Sequence, residues 1–261
     1  MKKFIIPSII IFSGFCYSSY GQLGSSLEVM QKYNAQISSS DETTQMTMSL
    51  INKQDNKRER EIVRYLMTDK NDKRSSLIKF LSPSDVKGTG LLSIENVGRD
   101  DDQWLYLSGF NKTRRIASSN ETDYFVGSDF TFEDLNREVL NDYQYDFLQE
   151  TDIDGQRCYQ IKATPKTNKK IKESGYAKRE LFIRKDNFVL VKVNFYDKSN
   201  TLFKVYKGFN IKTDADSKKE RAYSIEMSNL KTGHKTMLSI ASIKINKGLD
   251  KETFTQRNLQ K

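Results

Sequence analysis

The chain has few of the residues on which triad catalysis and structural metal sites depend. Its 261 residues include one histidine, His234, and two cysteines, Cys16 and Cys158. A catalytic triad would have to use His234, and no Gly-x-Ser-x-Gly nucleophile motif accompanies it. The histidine and the cysteines together are too few to supply the four ligands of a structural zinc ion. We therefore interpret His234 as an ordinary turn residue.

Other ligand motifs are incomplete. The aspartates at 100–102 and 152–154 lack the spaced carboxylates and the terminal glutamate of a calcium loop. The glycines of segment 88–90 lack the third glycine and the following helix of a nucleotide-binding loop. Glu133 and Asp134 are adjacent, so their carboxyl groups point apart and do not form a glycosidase pair. The sequence therefore predicts no catalytic residue, no metal and no cofactor.

The chain has a single long hydrophobic run, at residues 4–15, which Lys2 and Lys3 precede and small residues up to Gly21 follow. The run is shorter than the roughly 20 residues that a membrane span needs. We therefore predict that residues 1–21 are a Sec-type signal peptide, cleaved near Gly21. Cys158 is then the one cysteine of the mature chain, so no intramolecular disulfide forms, and we expect Cys158 to be a packing residue on a strand.

Acidic residues are fewer than basic ones, and the formal net charge is +9. The excess is scattered, with local basic runs at 57–60, 166–172 and 218–221. Scattered charge of this kind is typical of solvated faces, and it argues against nucleic-acid binding by an exported protein. It allows weak peripheral contact with anionic lipid headgroups.

The hydrophobic periodicity changes once along the chain. Apolar side chains recur every three to four residues at Leu27, Met30, Tyr33 and Ile37, which predicts one amphipathic helix. From Met46 onward apolar and polar residues alternate, and turn residues separate the alternating segments. With only three prolines in the chain, few strands are interrupted. The pattern predicts a meandering antiparallel sheet of roughly eleven to thirteen strands.

One segment suggests that both faces of the sheet are covered. In residues 188–196 the odd-numbered positions are all apolar, whereas the even-numbered positions mix Leu190 with Lys192. We expect the odd-numbered side chains to share one face, because successive strand residues point to opposite sides. An antiparallel sheet with one solvated face alternates more cleanly. A helix, a long loop or a bound lipid is therefore expected to cover the second face.

The most distinctive motifs lie between residues 99 and 135. They are Trp104-Leu105-Tyr106-Leu107, Arg114-Arg115-Ile116 and Gly127-Ser128-Asp129-Phe130-Thr131-Phe132-Glu133-Asp134-Leu135. With Phe80 to Gly90 and the ending Leu249 to Leu259, they make the chain resemble the outer-membrane lipoprotein-sorting protein family, the LolA-like periplasmic proteins. The resemblance covers most of the mature chain.

This resemblance implies a mainly β fold of the α+β class. The expected architecture is an incomplete antiparallel β-barrel of about 11 strands, with one N-terminal helix, a short helical or loop lid and an apolar cavity, as in LolA and LolB. Residues 22–261 would form this single half-barrel domain. The implied function is non-catalytic binding or carriage of lipids or lipoprotein acyl chains in the periplasm.

Ligand-binding residues are predicted at the rim or lid of the cavity: Trp104, Tyr106, Arg114, Arg115, Phe125, Phe130 and Phe132. The arginines would bind a phosphate or anchor the lid through carbonyl oxygens. At most one of the two points inward, because they are adjacent on a strand. The aromatic side chains are equally compatible with ordinary core packing.

Two further hypotheses remain beside lipid carriage. The alternative function is a periplasmic accessory or interaction module of an RND-type export system that carries no lipid. An outer-membrane barrel would also have a signal peptide and alternating strands, but Lys192, Lys204 and Lys244 argue against it because they have apolar neighbours. A dry apolar pocket beneath a helix would favour carriage, and a filled core would favour the docking module.

Overall fold

A computed structural model describes residues 25–261 of the chain. The predicted signal peptide, residues 1–21, lies outside the described residues. The helices are α1 Ser26–Gln36, α2 Phe132–Leu135, α3 Asn168–Glu173 and α4 Gln256–Leu259. The strands are β1 Asp41–Ile51, β2 Lys57–Thr68, β3 Arg74–Ser82, β4 Gly90–Ile94, β5 Asp102–Leu107, β6 Lys112–Ile116, β7 Tyr143–Ile153, β8 Gln156–Pro165, β9 Lys178–Arg184, β10 Leu190–Tyr196, β11 Leu202–Thr213, β12 Glu220–Asn229 and β13 Lys235–Ile245.

The strands form one open antiparallel sheet in two meandering halves. The order is β6-β5-β4-β3-β2-β1-β13-β12-β11-β10-β9-β8-β7, so the first strand pairs with the last at the centre. The expected mainly β, incomplete barrel with one N-terminal helix is confirmed, with 13 strands in place of about 11. That residues 22–261 form a single domain stays a prediction. Within residues 25–261 no helix combines the length and apolar character needed to cross a membrane.

The strand order places β6 and β7, which are consecutive in the sequence, at opposite edges of the sheet. Residues 117–142 connect them, and we call this segment the crossover. The crossover spans the sheet from edge to edge and buries Phe125, Phe130 and Phe132 against one face. Helix α1 packs on the same face through Val29 and Met30. We call the covered side the inner face.

The opposite side, or outer face, carries two smaller clusters. Leu77, Leu92 and Tyr106 of β3 to β5 pack against Phe254 and Leu259 of the C-terminal segment. On the other half, Cys158 is fully buried beside Phe182 and Val191. Burial raises the pKa of the Cys158 thiol to about 11, so the thiol stays protonated. Both halves of the sheet therefore bury apolar side chains on both faces.

A register shift in β10 overturns the alternation expected for residues 188–196. Leu190 pairs with Ile183 whereas Lys192 pairs with Phe182, so one extra residue is inserted on the β10 side. Val191 therefore packs on the outer face, while Val193 packs on the inner face with Leu190. The expectation that all odd-numbered side chains share a face is wrong.

A buried ion pair fastens the crossover to the second half of the sheet. The Lys204 ammonium of β11 has no exposed surface and lies 2.5 Å from an Asp134 carboxylate oxygen in α2. It also donates to the Tyr176 hydroxyl at 2.5 Å and lies 4.8 Å from the centre of the Phe195 ring. The same Asp134 carboxylate accepts the Thr131 amide at 2.8 Å and so caps α2. One carboxylate thus orders the short helix and binds it to the sheet.

We predict that Lys204→Met lowers the free energy of unfolding by about 3 to 5 kcal/mol, because Asp134 is left as an unpaired buried carboxylate. Urea unfolding measures the loss. Lys207→Met is the matched control, since Lys207 lies on the same strand but is exposed, and it should change stability by no more than about 0.5 kcal/mol. Equal effects of the two substitutions would contradict the role assigned to the pair.

Candidate functional site

A cavity of about 650 Å³ lies between the crossover, α1 and the second half of the inner face. Tyr33 of α1 and Phe130 of the crossover form part of its wall. The loop between β4 and β5 and the helix α3 border it as well. This volume is within the range of roughly 300 to 1,000 Å³ in which proteins bind small ligands.

The floor of the cavity is apolar and belongs to the sheet. Its side chains come from β9 to β12 and are Leu181, Leu190, Val193, Phe195, Tyr206 and Met227. Leu190 faces the cavity because of the register shift in β10. Burial raises the pKa of Tyr206 above its usual value, so its phenol remains neutral. The floor thus offers a surface suited to an alkyl chain.

The rim of the cavity is charged, which distinguishes it from the dry apolar pocket considered above. Arg179 pairs with Glu138, and Lys170 pairs with Glu133 at 2.9 Å. Arg137 reaches Glu95 at 2.8 Å and Asp72 at 2.9 Å. These pairs join the crossover to β9, α3 and the loops flanking β3 and β4. Internal ion pairs therefore neutralise most of the basic side chains of the rim.

Glu121 is an acidic rim residue whose carboxylate has no ion-pair or hydrogen-bond partner among residues 25–261. Burial raises its pKa to about 7, and the carboxylate of Glu133 adds to the rise against the opposing charge of Lys170. The cavity mouth therefore gains negative charge as the pH rises through 7. A group of this kind changes the electrostatics of the opening without taking part in a covalent step.

The single histidine serves to hold the crossover. His234 Nδ1 lies 2.6 Å from Asp129 Oδ2, and the same oxygen accepts the Thr236 hydroxyl at 2.7 Å. The Asp129 amide in turn donates to Thr236 Oγ1 at 2.9 Å. Asp129 is buried, so these bonds satisfy a carboxylate that would otherwise be costly to bury. The Ser128-Asp129 pair of the distinctive motif thus has a structural contact with the β12–β13 turn.

The structure places one of the seven predicted ligand-binding residues on the cavity wall, and this residue is Phe130. Phe125 and Phe132 are buried on the inner face of the first half. Trp104 and Tyr106 pack on the outer face beneath the C-terminal segment. Strand periodicity separates them from the cavity, because Gln103 and Leu105 take the inward positions of β5.

The two predicted arginines lie on the edge strand β6, away from the cavity. Arg114 is exposed, and Arg115 donates to the Asp102 carboxylate at 2.8 Å. The cavity arginines are instead Arg74, Arg99, Arg137 and Arg179. No local motif marks these four in the sequence, because the strand order rather than the spacing brings them together.

Two solved structures are similar to this chain over nearly its whole length. One is an outer membrane lipoprotein-sorting protein domain from Vibrio parahaemolyticus, 30% identical with a TM-score of 0.82. The other is a DUF1329 family protein from Desulfovibrio piger, 26% identical with a TM-score of 0.83. Each match covers 90% of this chain and 98% of the other.

A LolA superfamily protein from Nitrosomonas europaea has the same fold, with a TM-score of 0.70 and 18% identity; the match covers 90% of this chain and 100% of that one. A family model described as "uncharacterized protein" matches residues 72–261. No curated protein matches the sequence.

The raised pKa of Glu121 predicts a pH-dependent stability difference. Between about pH 4.5 and pH 7 the folded protein keeps the carboxyl protonated whereas the unfolded chain ionises it, so ionisation progressively disfavours folding. Glu121→Gln should therefore equal the wild type below pH 4.5. Above pH 7 it should be more stable by about 1 to 2 kcal/mol, a value reduced for solvent screening. Thermal unfolding across this range measures the difference.

Glu150→Gln is a control that should change the stability at neutral pH in the opposite direction. The pKa of Glu150 is lowered by hydrogen bonds from Lys185 and Arg157, so its contribution to stability is present at high pH and is lost as the pH falls. Substitution should therefore destabilise the protein at neutral pH and have less effect in acid. A pH-independent difference between Glu121→Gln and the wild type would contradict the assignment of Glu121.

Proposed function

Because this chain belongs to the outer membrane lipoprotein-sorting, LolA-like family, we propose that it is a periplasmic, non-catalytic carrier of lipids or lipoprotein acyl chains. The observation that supports this most directly is the cavity of about 650 Å³ beneath α1 and the crossover, with an apolar floor. Export by a signal peptide at residues 1–21 is part of the proposal.

Binding in such a cavity requires only the reversible burial of an alkyl chain. Each methylene group removed from water contributes about 0.8 kcal/mol, so a chain of about fourteen carbons supplies roughly 10 kcal/mol before ordering costs. Leu181, Val193 and Met227 offer the contact surface on the sheet. In this proposal the polar head of the ligand lies at the charged rim.

The crossover and α1 together provide the cover of the cavity. Phe130 and Tyr33 face the floor from these two elements. Because the crossover is bound to the sheet by Lys204 and Thr236, it serves as a fixed wall. Helix α1 is attached mainly by Val29 and Met30 and by polar contacts near its end such as Lys219 to the Ala35 carbonyl. In this proposal α1 is the side on which the cavity admits a ligand.

The mature protein purified from a bacterial envelope tests the proposal. Native mass spectrometry and solvent extraction should recover bound lipid, and a fluorescent fatty acyl probe should bind and be displaced by unlabelled fatty acid. A protein that is consistently empty and also fails to bind the probe would contradict the proposal of lipid carriage. Crosslinked co-purification of a transporter without lipid would then favour the RND-type accessory role.

A cavity-filling substitution localises the binding. Leu190→Trp should weaken binding of the fluorescent acyl probe about tenfold, because displacing roughly two methylenes of the ligand costs about 1.6 kcal/mol. The probe titration measures the change in Kd. Leu202→Trp is the control, since Leu202 is exposed on β11 and does not border the cavity, and it should leave Kd unchanged. Unchanged binding by both variants would place the lipid elsewhere.

A further inference from the structure

The cavity wall contains six basic side chains, and five of them form ion pairs with a carboxylate. Their pairs are Arg99 with Asp102, Arg137 with Asp72 and Glu95, Lys169 with Asp100, Lys170 with Glu133, and Arg179 with Glu138. The sixth, Arg74, has no carboxylate within ion-pair distance among residues 25–261. This difference sets Arg74 apart from the other cations of the cavity.

The guanidinium of Arg74 also lacks hydrogen bonds. No protein acceptor in the described part of the chain receives any of its donors, and its Nε is buried without a partner. Only the backbone of Arg74 is engaged, because its amide donates to Glu95 at 3.0 Å. Arg74 is half-buried, and guanidinium groups that are taken out of water are normally paired, since an uncompensated charge is costly in a partly dry site.

The surroundings compensate the charge of Arg74 only in part. Burial lowers its pKa, and the neighbouring positive charge of Arg137 lowers it further, against the opposing effect of Glu95. Glu95 is already bonded to Arg137. An arginine side chain nevertheless keeps its proton in proteins, so the cavity holds a permanent positive charge with free donors. An anionic group of a ligand would neutralise this charge and accept hydrogen bonds from the free donors.

Arg74 and Tyr33 of α1 both line the cavity. Burial and the charge of Glu138 raise the pKa of the Tyr33 phenol to about 12, against the opposing charges of Arg179 and Arg74. Tyr33 therefore remains neutral and able to donate a hydrogen bond from its hydroxyl. The apolar floor of β9 to β12 belongs to the same cavity.

We propose that Arg74 binds the anionic group, a phosphate or a carboxylate, of the amphiphile whose alkyl chain lies on the cavity floor. This inference rests on the proposed function. The planar guanidinium offers two parallel donors to such a group. The cavity then selects amphiphiles with an anionic head over neutral ones, and it orients them with the head beside α1 and the chain on the sheet.

The test compares a long-chain fatty acid, the alkyl phosphate of the same chain length and the corresponding neutral alcohol, each titrated against the full mature protein. Arg74→Gln should weaken binding of both anions about ten- to a hundred-fold, as expected for the loss of charge-assisted bonds, and leave the alcohol unaffected. Arg74→Lys should lose only part of the affinity, because lysine keeps the positive charge but lacks the two parallel donors of the guanidinium group. Arg114→Gln, at an exposed position outside the cavity, should bind like the wild type.

Thermal unfolding separates recognition from a structural role. Arg74→Gln removes no protein hydrogen bond of the described residues, so its melting temperature should equal or exceed that of the wild type. Equal losses for the acid and the alcohol, or a lowered melting temperature, would overturn the role of Arg74 but leave lipid carriage intact. Inorganic phosphate binding as tightly as the alkyl phosphate would overturn the assignment to an amphiphile. Wild-type protein that binds none of the three chains would remove both proposals.

Discussion

The interior of this protein depends on a fully buried ammonium group. Lys204 remains there because Asp134 and Tyr176 bond it and aromatic rings, including that of Phe195, surround it. The bond crosses from the sheet to the crossover, so it helps to fix the segment that links the two edges of the sheet. Since Asp134 also caps α2, one carboxylate contributes both to the local fold of the crossover and to its attachment. The cavity wall formed by Phe130 follows from this attachment.

The cavity combines an apolar floor with a charged rim. Its floor removes alkyl surface from water without directional bonds, whereas its rim consists of charges that mostly satisfy one another. Binding energy can therefore come from the floor, while the rim decides which head groups are tolerated. Ion pairs such as Lys170 with Glu133 neutralise most of the basic side chains of the rim. Arg74 and four carboxylates of the wall, those of Asp101, Glu121, Asp142 and Glu173, have no ion-pair partner among residues 25–261. The negative charge of Glu121 increases as the pH rises through 7.

Much of the fold follows from local sequence patterns. The helix at Ser26–Gln36 and the strand meander are readable from periodicity and turns, because each depends on neighbours in the chain. The faces on which the β10 side chains lie do not follow from the local pattern, since a single inserted residue reverses the alternation around Val191. Of the predicted site residues only Phe130 reaches the cavity wall. Local sequence patterns do not predict the arginines of the rim, because these residues come from distant segments that the pairing of β1 with β13 brings together.

The pairing of β1 with β13 also determines the order in which the chain can fold. Within each half, strands pair with sequence neighbours through short turns, so these hairpins can form as soon as their residues are available. The central seam joins Thr47 to Ser239 and its neighbouring residues, a loop closure across almost the whole described chain. Strand β1 therefore has one free edge until the last strand has emerged. A chain that becomes available from its N-terminus cannot complete its sheet before β13 arrives, so the seam delays the formation of the continuous core until residues 235–245 are available.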